Sequence, residues 1–274
     1  MLYHQPILLS EVLEILKPAS GKTYLDCTLG NGGHTLALLE AGAKVIAFEQ
    51  DPDNIKIVQD RINNPNLTII NDNFSNLNKH LSTLFDGILF DLGLSINQQK
   101  AVNRGFSFND ELSLDMRLDP NNQTLTAQEI INTFNQEELF EIFSKNAQEK
   151  NSRQIARLIT QHRPFKTALQ LATIIRKNYP QNSKIDPATK VFMALRIYVN
   201  NEFENLKNAL EQTLSLIKPN APVCIISFHS GEDRIVKNFI RSHQLQSTMI
   251  LPSQAEIKKN PLSRSAVLRS YKID

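Results

Sequence analysis

Tyr24-Leu25-Asp26-Cys27-Thr28-Leu29-Gly30-Asn31-Gly32-Gly33-His34 carries a short apolar run through an acid and three glycines into a helix-like segment over 35–39. Strand, tight loop and helix start in this order bring backbone close to a nucleotide-like ligand in α/β folds. A side chain on those glycines would obstruct both the turn and the ligand. About twenty residues on, Lys44-Val45-Ile46-Ala47-Phe48 reads as a second strand ending in Glu49, an acid placed to accept hydrogen bonds from a ribose diol. The spacing is not G-x-G-x-x-G, which disfavours a nicotinamide-dependent oxidoreductase. Taken alone, the stretch also fits an ordinary glycine turn between strand and helix.

Working outward, strand patterns at 24–27, 45–48, 67–70 and 87–90 alternate with helical apolar spacing over 35–41 and 53–62. That alternation predicts a parallel sheet. The turn Asn63-Asn64-Pro65-Asn66 stops the second of these helices. From 106 to 188 the character changes. Thr126-Ala127-Gln128-Glu129 is a capping box, and Asn135-Gln136-Glu137-Glu138 and Thr167-Ala168-Leu169-Gln170 start further helices. Ile130, Ile131 and Phe134, then Leu139, Phe140, Ile142 and Phe143, form helical apolar faces, and no strand pattern interrupts them. A long amphipathic stretch follows Pro187 through Phe192, Leu195, Val199, Phe203, Leu206, Leu210 and Leu214. Residues 222–228 then read as a fully buried strand placed beside 87–90, 233–240 as a helix, and 248–251 and 266–271 as closing strands. The predicted organisation is one α/β domain made of 1–105 and 189–274, with an all-helical insert over 106–188.

Hydrophobic content of 41% and charged content of 21% are those of an ordinary globular protein, which excludes a disordered chain. No apolar run approaches the roughly 20 residues that span a bilayer. Residues 1–14 carry acids rather than a basic-then-apolar leader, so a cytoplasmic location and no membrane partner are expected. Cys27 and Cys224 both sit in apolar strand-like runs and read as small buried residues rather than a disulfide or a nucleophile. The six histidines are scattered without metal-ligand spacing, and no metal is expected. The net charge of +2 does not mark a nucleic-acid binder. Its distribution is more informative, with Arg153, Arg157, His162, Arg163 and Lys166 in one cluster and Lys258, Lys259, Arg264 and Arg269 in another. Both clusters fit solvated faces as well as RNA contact.

The order glycine loop, acid after strand two, Asp72-Asn73-Phe74 and Asp86-Gly87-Ile88-Leu89-Phe90-Asp91 resembles the motifs of class I S-adenosylmethionine-dependent methyltransferases. More narrowly, the chain resembles the small-subunit ribosomal RNA methyltransferase H (MraW-like) family, which methylates N4 of a cytidine in 16S rRNA. The matching pieces include His4-Gln5-Pro6-Ile7-Leu8-Leu9-Ser10-Glu11-Val12, Asp91-Leu92-Gly93-Leu94-Ser95, Arg104-Gly105-Phe106-Ser107-Phe108 and Leu114-Asp115-Met116-Arg117-Leu118-Asp119. Pro187-Ala188-Thr189-Lys190-Val191-Phe192, Ala194-Leu195-Arg196-Ile197, Ile226-Ser227-Phe228-His229-Ser230 and Arg264-Ser265-Ala266-Val267-Leu268-Arg269 complete them. Any one is weak; together and in order they are specific.

The resemblance implies a Rossmann-like, mostly parallel sheet with an antiparallel closing strand, carrying an inserted helical subdomain that recognises RNA. It implies S-adenosyl-L-methionine as cofactor, with Gly32, Gly33 and His34 against its amino-acid end, Glu49 on the ribose, Phe74 flanking the adenine, and Asp91 and Gln98 as further contacts. Asp91 is the candidate catalytic residue, because N4 of cytosine becomes nucleophilic only as its hydrogens find acceptors. Arg104, Phe106, Phe108, Arg117, Arg196 and His229 are candidates for substrate or RNA contact. C5 methylation would need a thiolate on a flexible loop, and neither cysteine is so placed. The implied partner is 16S rRNA in the 30S subunit, with a homodimer left open. The chain departs from the family pattern at Ile96-Asn97-Gln98-Gln99-Lys100, where Ser-Pro-Gln-Leu-Asp is usual, and at Asn146-Ala147-Gln148-Glu149, where Tyr-Gly-Glu-Glu is usual. Glu49 replaces the usual Asp, and Gly231 the usual Leu. A non-catalytic RNA-binding or ribosome-assembly factor on the same fold is the alternative.

Overall fold

The computed structural model describes residues 6–179 and 186–273. His4 and Gln5 of the N-terminal motif lie outside the described residues. The chain divides into two compact units, Met1–Ser95 with Phe203–Asp274, and Ile96–Glu202.

The first unit is built on a seven-stranded sheet of β1 (Thr23–Asp26), β2 (Lys44–Glu49), β3 (Leu67–Asn71), β4 (Gly87–Asp91), β5 (Pro222–Ser227), β6 (Gln246–Ile250) and β7 (Val267–Lys272). Their order is β3-β2-β1-β4-β5-β7-β6, and β1 to β5 run parallel. β7 is antiparallel to both of its neighbours. This is the class I methyltransferase sheet, with its single reversed closing strand. Alternation along the strands separates two cores. Tyr24, Leu89, Cys224 and Ile226 face one, while Leu25, Ile88, Phe90, Val223 and Ile225 face the other. A parallel sheet covered on both faces needs apolar residues at every position, which is why 222–227 is buried throughout and shows no polar alternation.

Parallel pairing aligns the C-terminal ends of β1, β4 and β5 along one edge of the sheet. Asp91 stands beside Ile226, and Cys27 N–H continues the ladder to Leu89 O at 2.8 Å. The loops after these three strands therefore share one rim, where open α/β sheets bind their ligands.

The second unit packs the helices Ala127–Thr133, Gln136–Ala147, Ser152–Gln161, Ala168–Asn178 and Thr189–Val199 around Leu139, Phe143, Ile155, Ile159, Leu171, Val191 and Leu195. The predicted capping box of Thr126 with Glu129 forms, and the helix start read at Asn135 proves to be a second one, Asn135 with Glu138. The helical unit is wider than the 106–188 read from sequence, because Thr189–Val199 packs on Gln136–Ala147 and belongs to its core. The amphipathic stretch after Pro187 is divided rather than continuous. Asn200 and Asn201 interrupt it, Asn201 with φ +50°. The Asn200 side chain donates to Met116 O and Arg196 O and accepts from Leu118 N–H, each at 2.8 Å. It pins the helix end to the 116–118 loop, and a second helix, Glu202–Leu216, begins beyond it.

Candidate active site

β1 ends in Asp26, whose buried carboxylate holds the glycine loop at both ends. It accepts from Thr28 N–H at 3.0 Å and from the Thr35 hydroxyl at 2.6 Å. Burial pushes this carboxyl up, and those two donors oppose the rise. Between the anchors, Gly30 (φ +50°) and Gly32 (φ +70°) take left-handed backbone that side chains rarely adopt. Gly33 is glycine for a different reason. A Cβ there would lie 2.5 Å from Pro6 Cγ, so the turn is packed against the N-terminal segment. The helix that follows, Gly33–Glu40, has no side-chain cap, which leaves its start available to a ligand.

Glu49 closes the other side of the loop. Its Oε2 accepts from Gly30 N–H at 3.0 Å and from Asn54 Nδ2 at 3.2 Å, and Oε1 accepts from Asp51 N–H at 2.9 Å. Burial raises its carboxyl to about 7 against those donors. The buried Asn54 also accepts from the Ser95 hydroxyl at 3.2 Å. A relay of side chains thus runs from the glycine loop through Glu49 and Asn54 to the segment after β4. Phe74 is half-buried, packed edge-on against Phe90 with ring centroids 5.8 Å apart.

Asp91 ends β4. Its N–H donates to the Thr28 hydroxyl at 2.6 Å, tying the strand end to the loop after β1. Its Oδ2 lies 3.5 Å from Nε2 of His34, which is 5% exposed. Among the described residues, the buried side-chain polar atoms without a hydrogen-bond partner are both ring nitrogens of His34, Oδ1 of Asp91 and Nε2 of His229. They belong to the helix start that follows β1, to the end of β4 and to the helix cap that follows β5. Leaving a buried polar atom unpaired costs about 1–3 kcal/mol, and four on one rim mark a place built for a polar ligand.

The sequence profile of the MraW methylase family matches residues 1–273. The chain belongs to that family. It is 40% identical to the ribosomal RNA small subunit methyltransferase H of Deinococcus deserti, an alignment covering 98% of this chain and 93% of the relative. It is 42% identical to the protein of that name from Cyanothece sp., covering 97% and 93%. Its fold is that of SMU.1697c, a methyltransferase candidate from Streptococcus mutans solved in complex with SAH, at a TM-score of 0.50 and 11% identity over 98% of this chain and 99% of the other.

The remaining sequence-derived positions of the methylase are divided between its units. Gln98 is buried in the short helix Ile96–Lys100 of the helical unit. Arg104 donates to Arg117 O at 2.9 Å and Leu118 O at 3.3 Å, and Arg117 grips Asp115 with two bonds of 2.7 Å. Arg196 grips Glu202 at 2.8 and 2.9 Å. Phe106 packs on the helical core, and Phe108 meets Phe192 edge-on at 4.8 Å. Each holds a loop or helix end in place. Of the basic clusters, Arg163 donates to Ile131 O and Phe134 O, Arg153 pairs with Glu137, and Arg269 pairs with Asp233.

Sequence reasoning gave no site role to Thr28, Asn54, Ser95, Phe203 or Glu232. Only Glu232 left a local signal, an acid three positions after a helix-start residue, the mark of a capping box.

Proposed function

We propose that this methylase transfers the methyl group of S-adenosylmethionine to the N4 amine of a cytidine in 16S rRNA, with the small ribosomal subunit as its substrate. The observation that carries the reading is the unpaired His34–Asp91 pair beside the glycine loop. The orphaned atoms fit the charged amino-acid end of the cofactor, and Glu49 fits its ribose. Family membership and the relatives' names support the reaction and the substrate.

When bound, S-adenosylmethionine supplies a methyl group on a positive sulfonium, which needs little activation. The protein's share is placement and hydrogen-bond acceptance. Glu49 Oε2 already accepts two N–H groups and Oε1 one, so Oε1 has room for a ribose hydroxyl. Phe74, half-buried just after β3, would flank the adenine. Asp91 holds the cofactor's ammonium or takes the hydrogens of the acceptor amine, whose lone pair is delocalised until it pyramidalises.

Cys27 and Cys224 support attack by nitrogen rather than carbon. Both are buried, burial pushes the Cys224 thiol up to about 12, and Cys27 is also driven well above its ordinary value. Neither offers the thiolate that C5 methylation of cytosine uses.

The test uses labelled S-adenosylmethionine, purified protein and 30S subunits from cells lacking this enzyme, followed by nucleoside digestion and mass spectrometry. N4-methylcytidine is the expected product. A different methylated nucleoside would move the target, and no cofactor binding by calorimetry would leave the non-catalytic assembly factor standing.

A further inference from the structure

His229 begins the helix Ser230–Ser242, directly after β5. Its Nδ1 accepts the Glu232 N–H at 3.4 Å, the first half of a capping box. Glu232 completes the box, its Oε2 accepting from Phe228 N–H at 2.8 Å and His229 N–H at 3.3 Å. A nitrogen that accepts a backbone N–H carries no proton in the neutral ring, so the proton sits on Nε2. The cap therefore sets the tautomer. It leaves a buried N–H donor without a hydrogen-bond partner, Glu232 Oε1 being 3.2 Å away without completing one.

The ring is also held sideways. Phe203 lies 5.9 Å from it, centroid to centroid. A Cβ on Gly231 would stand 2.6 Å from Phe203 Cζ and 3.1 Å from His229 Nδ1, so the glycine makes room for this packing. Gly93, after β4, presents its α-carbon to Phe228, where a Cβ would lie 3.6 Å from the ring. The Asp91 loop and His229 are thus neighbours on the rim, with the cofactor loop on the far side of Asp91.

We infer that His229 Nε2–H is a fixed hydrogen-bond donor to the target nucleobase, taking an acceptor on the pyrimidine ring (N3 or O2) and so presenting the exocyclic amine to Asp91. The inference rests on the cytidine reading and adds the atom, the tautomer and the direction of the bond. The acceptor is a neutral atom rather than a phosphate oxygen, because the Glu232 carboxylate beside Nε2 repels an anion.

Two variants separate the donor from the cap. His229→Asn keeps a capping oxygen near the position of Nδ1 and removes the donor; His229→Gln keeps a donor near Nε2 and weakens the cap. With wild-type protein active on 30S subunits, His229→Asn is expected to retain melting temperature and cofactor affinity while kcat/KM falls at least tenfold. His229→Gln is expected to melt lower and transfer faster than His229→Asn. Nitrogen-15 NMR of the free protein is expected to show Nε2 protonated and Nδ1 not. Wild-type rates in His229→Asn, or an Nδ1–H tautomer, overturn the inference alone. If His229→Asn unfolds, a His229→Gln no faster than His229→Leu overturns it. A wild-type protein that binds cofactor but transfers nothing to 30S subunits overturns the substrate reading and this inference with it.

Discussion

His34 Nε2 lies 3.5 Å from Asp91 Oδ2, and neither ring nitrogen of this buried histidine has a hydrogen bond. One residue comes from the first turn of the helix that follows β1 and the other from the end of β4, so the pair exists only because those strands are parallel neighbours. Asp91→Ala is expected to abolish methyl transfer, a loss of about 10²–10⁴-fold if the carboxylate takes the amine's hydrogens. Calorimetry assigns the role. Weaker cofactor binding in the variant means that Asp91 holds the ammonium, while unchanged binding with lost turnover means that it serves the acceptor. Full activity would remove Asp91 from the site.

Glu49 gives a pH dependence whose direction is fixed. Its carboxyl is raised from 4.5 to about 7 in the folded protein by burial. Below about 4.5 both folded and unfolded chains hold the proton. As pH rises towards 7, the unfolded chain releases it first, so the stability linked to the raised value is lost over that window and is flat above it. Urea unfolding of wild type against Glu49→Gln is expected to show wild type losing ground between about pH 4.5 and 7. Cofactor affinity runs the opposite way, rising in wild type as the carboxylate forms. A pH-independent difference between the two proteins would place the ionisation elsewhere.

Gly33 illustrates a glycine required by packing rather than by backbone conformation. In Gly33→Ala the new methyl meets Pro6 Cγ at 2.5 Å, and the N-terminal segment or the cofactor loop must shift. The expected cost is about 1–3 kcal/mol of stability, with weaker cofactor binding. Pro6→Ala in the same chain removes the opposing carbon and is expected to restore part of both, a coupling that a double-mutant cycle measures. Independent, additive effects would mean that the contact does not set the loop.

The strands and capping boxes are legible in the sequence because they are written locally, as apolar runs of 4–6 residues and as Thr126/Glu129 or Asn135/Glu138 three apart. The glycine loop and Glu49 are legible for the same reason. What holds the rim together is not local. Thr28 reaching Asp91, Asn54 reaching Ser95 and Pro6 against Gly33 depend on strand order, which no window of residues contains. The limits of the helical unit are hidden likewise, since Thr189–Val199 has the same amphipathic pattern as Glu202–Leu216 and only packing assigns it.

The thiols offer a direct check on reaction type. With both buried and their protons held tightly, a charged thiol reagent is expected to leave the folded protein unlabelled and to label both sites in urea. Cys27→Ala and Cys224→Ala are expected to keep methyl transfer. Loss of transfer in a folded Cys27→Ala would revive carbon attack through a thiolate.

Gly231 and Phe203 act as a matched pair. The missing Cβ of Gly231 leaves space for the Phe203 ring, whose Cζ lies 2.6 Å from where that atom would be. Gly231→Leu alone forces Phe203 off the His229 ring or shifts the helix start, and is expected to destabilise the protein by about 1–3 kcal/mol. Glycine inside the first turn of a helix otherwise costs stability, so a substitution that did not meet Phe203 would stabilise. Phe203→Ala alone opens a void beside His229, expected to cost about 3–5 kcal/mol if the site cannot collapse. The double variant returns bulk to the same volume from the other side, and its loss of stability is expected to fall short of the sum of the single losses by more than about 0.5 kcal/mol. Thermal or urea unfolding of the four proteins reads this coupling, and strict additivity would show that the two positions do not share the space beside His229.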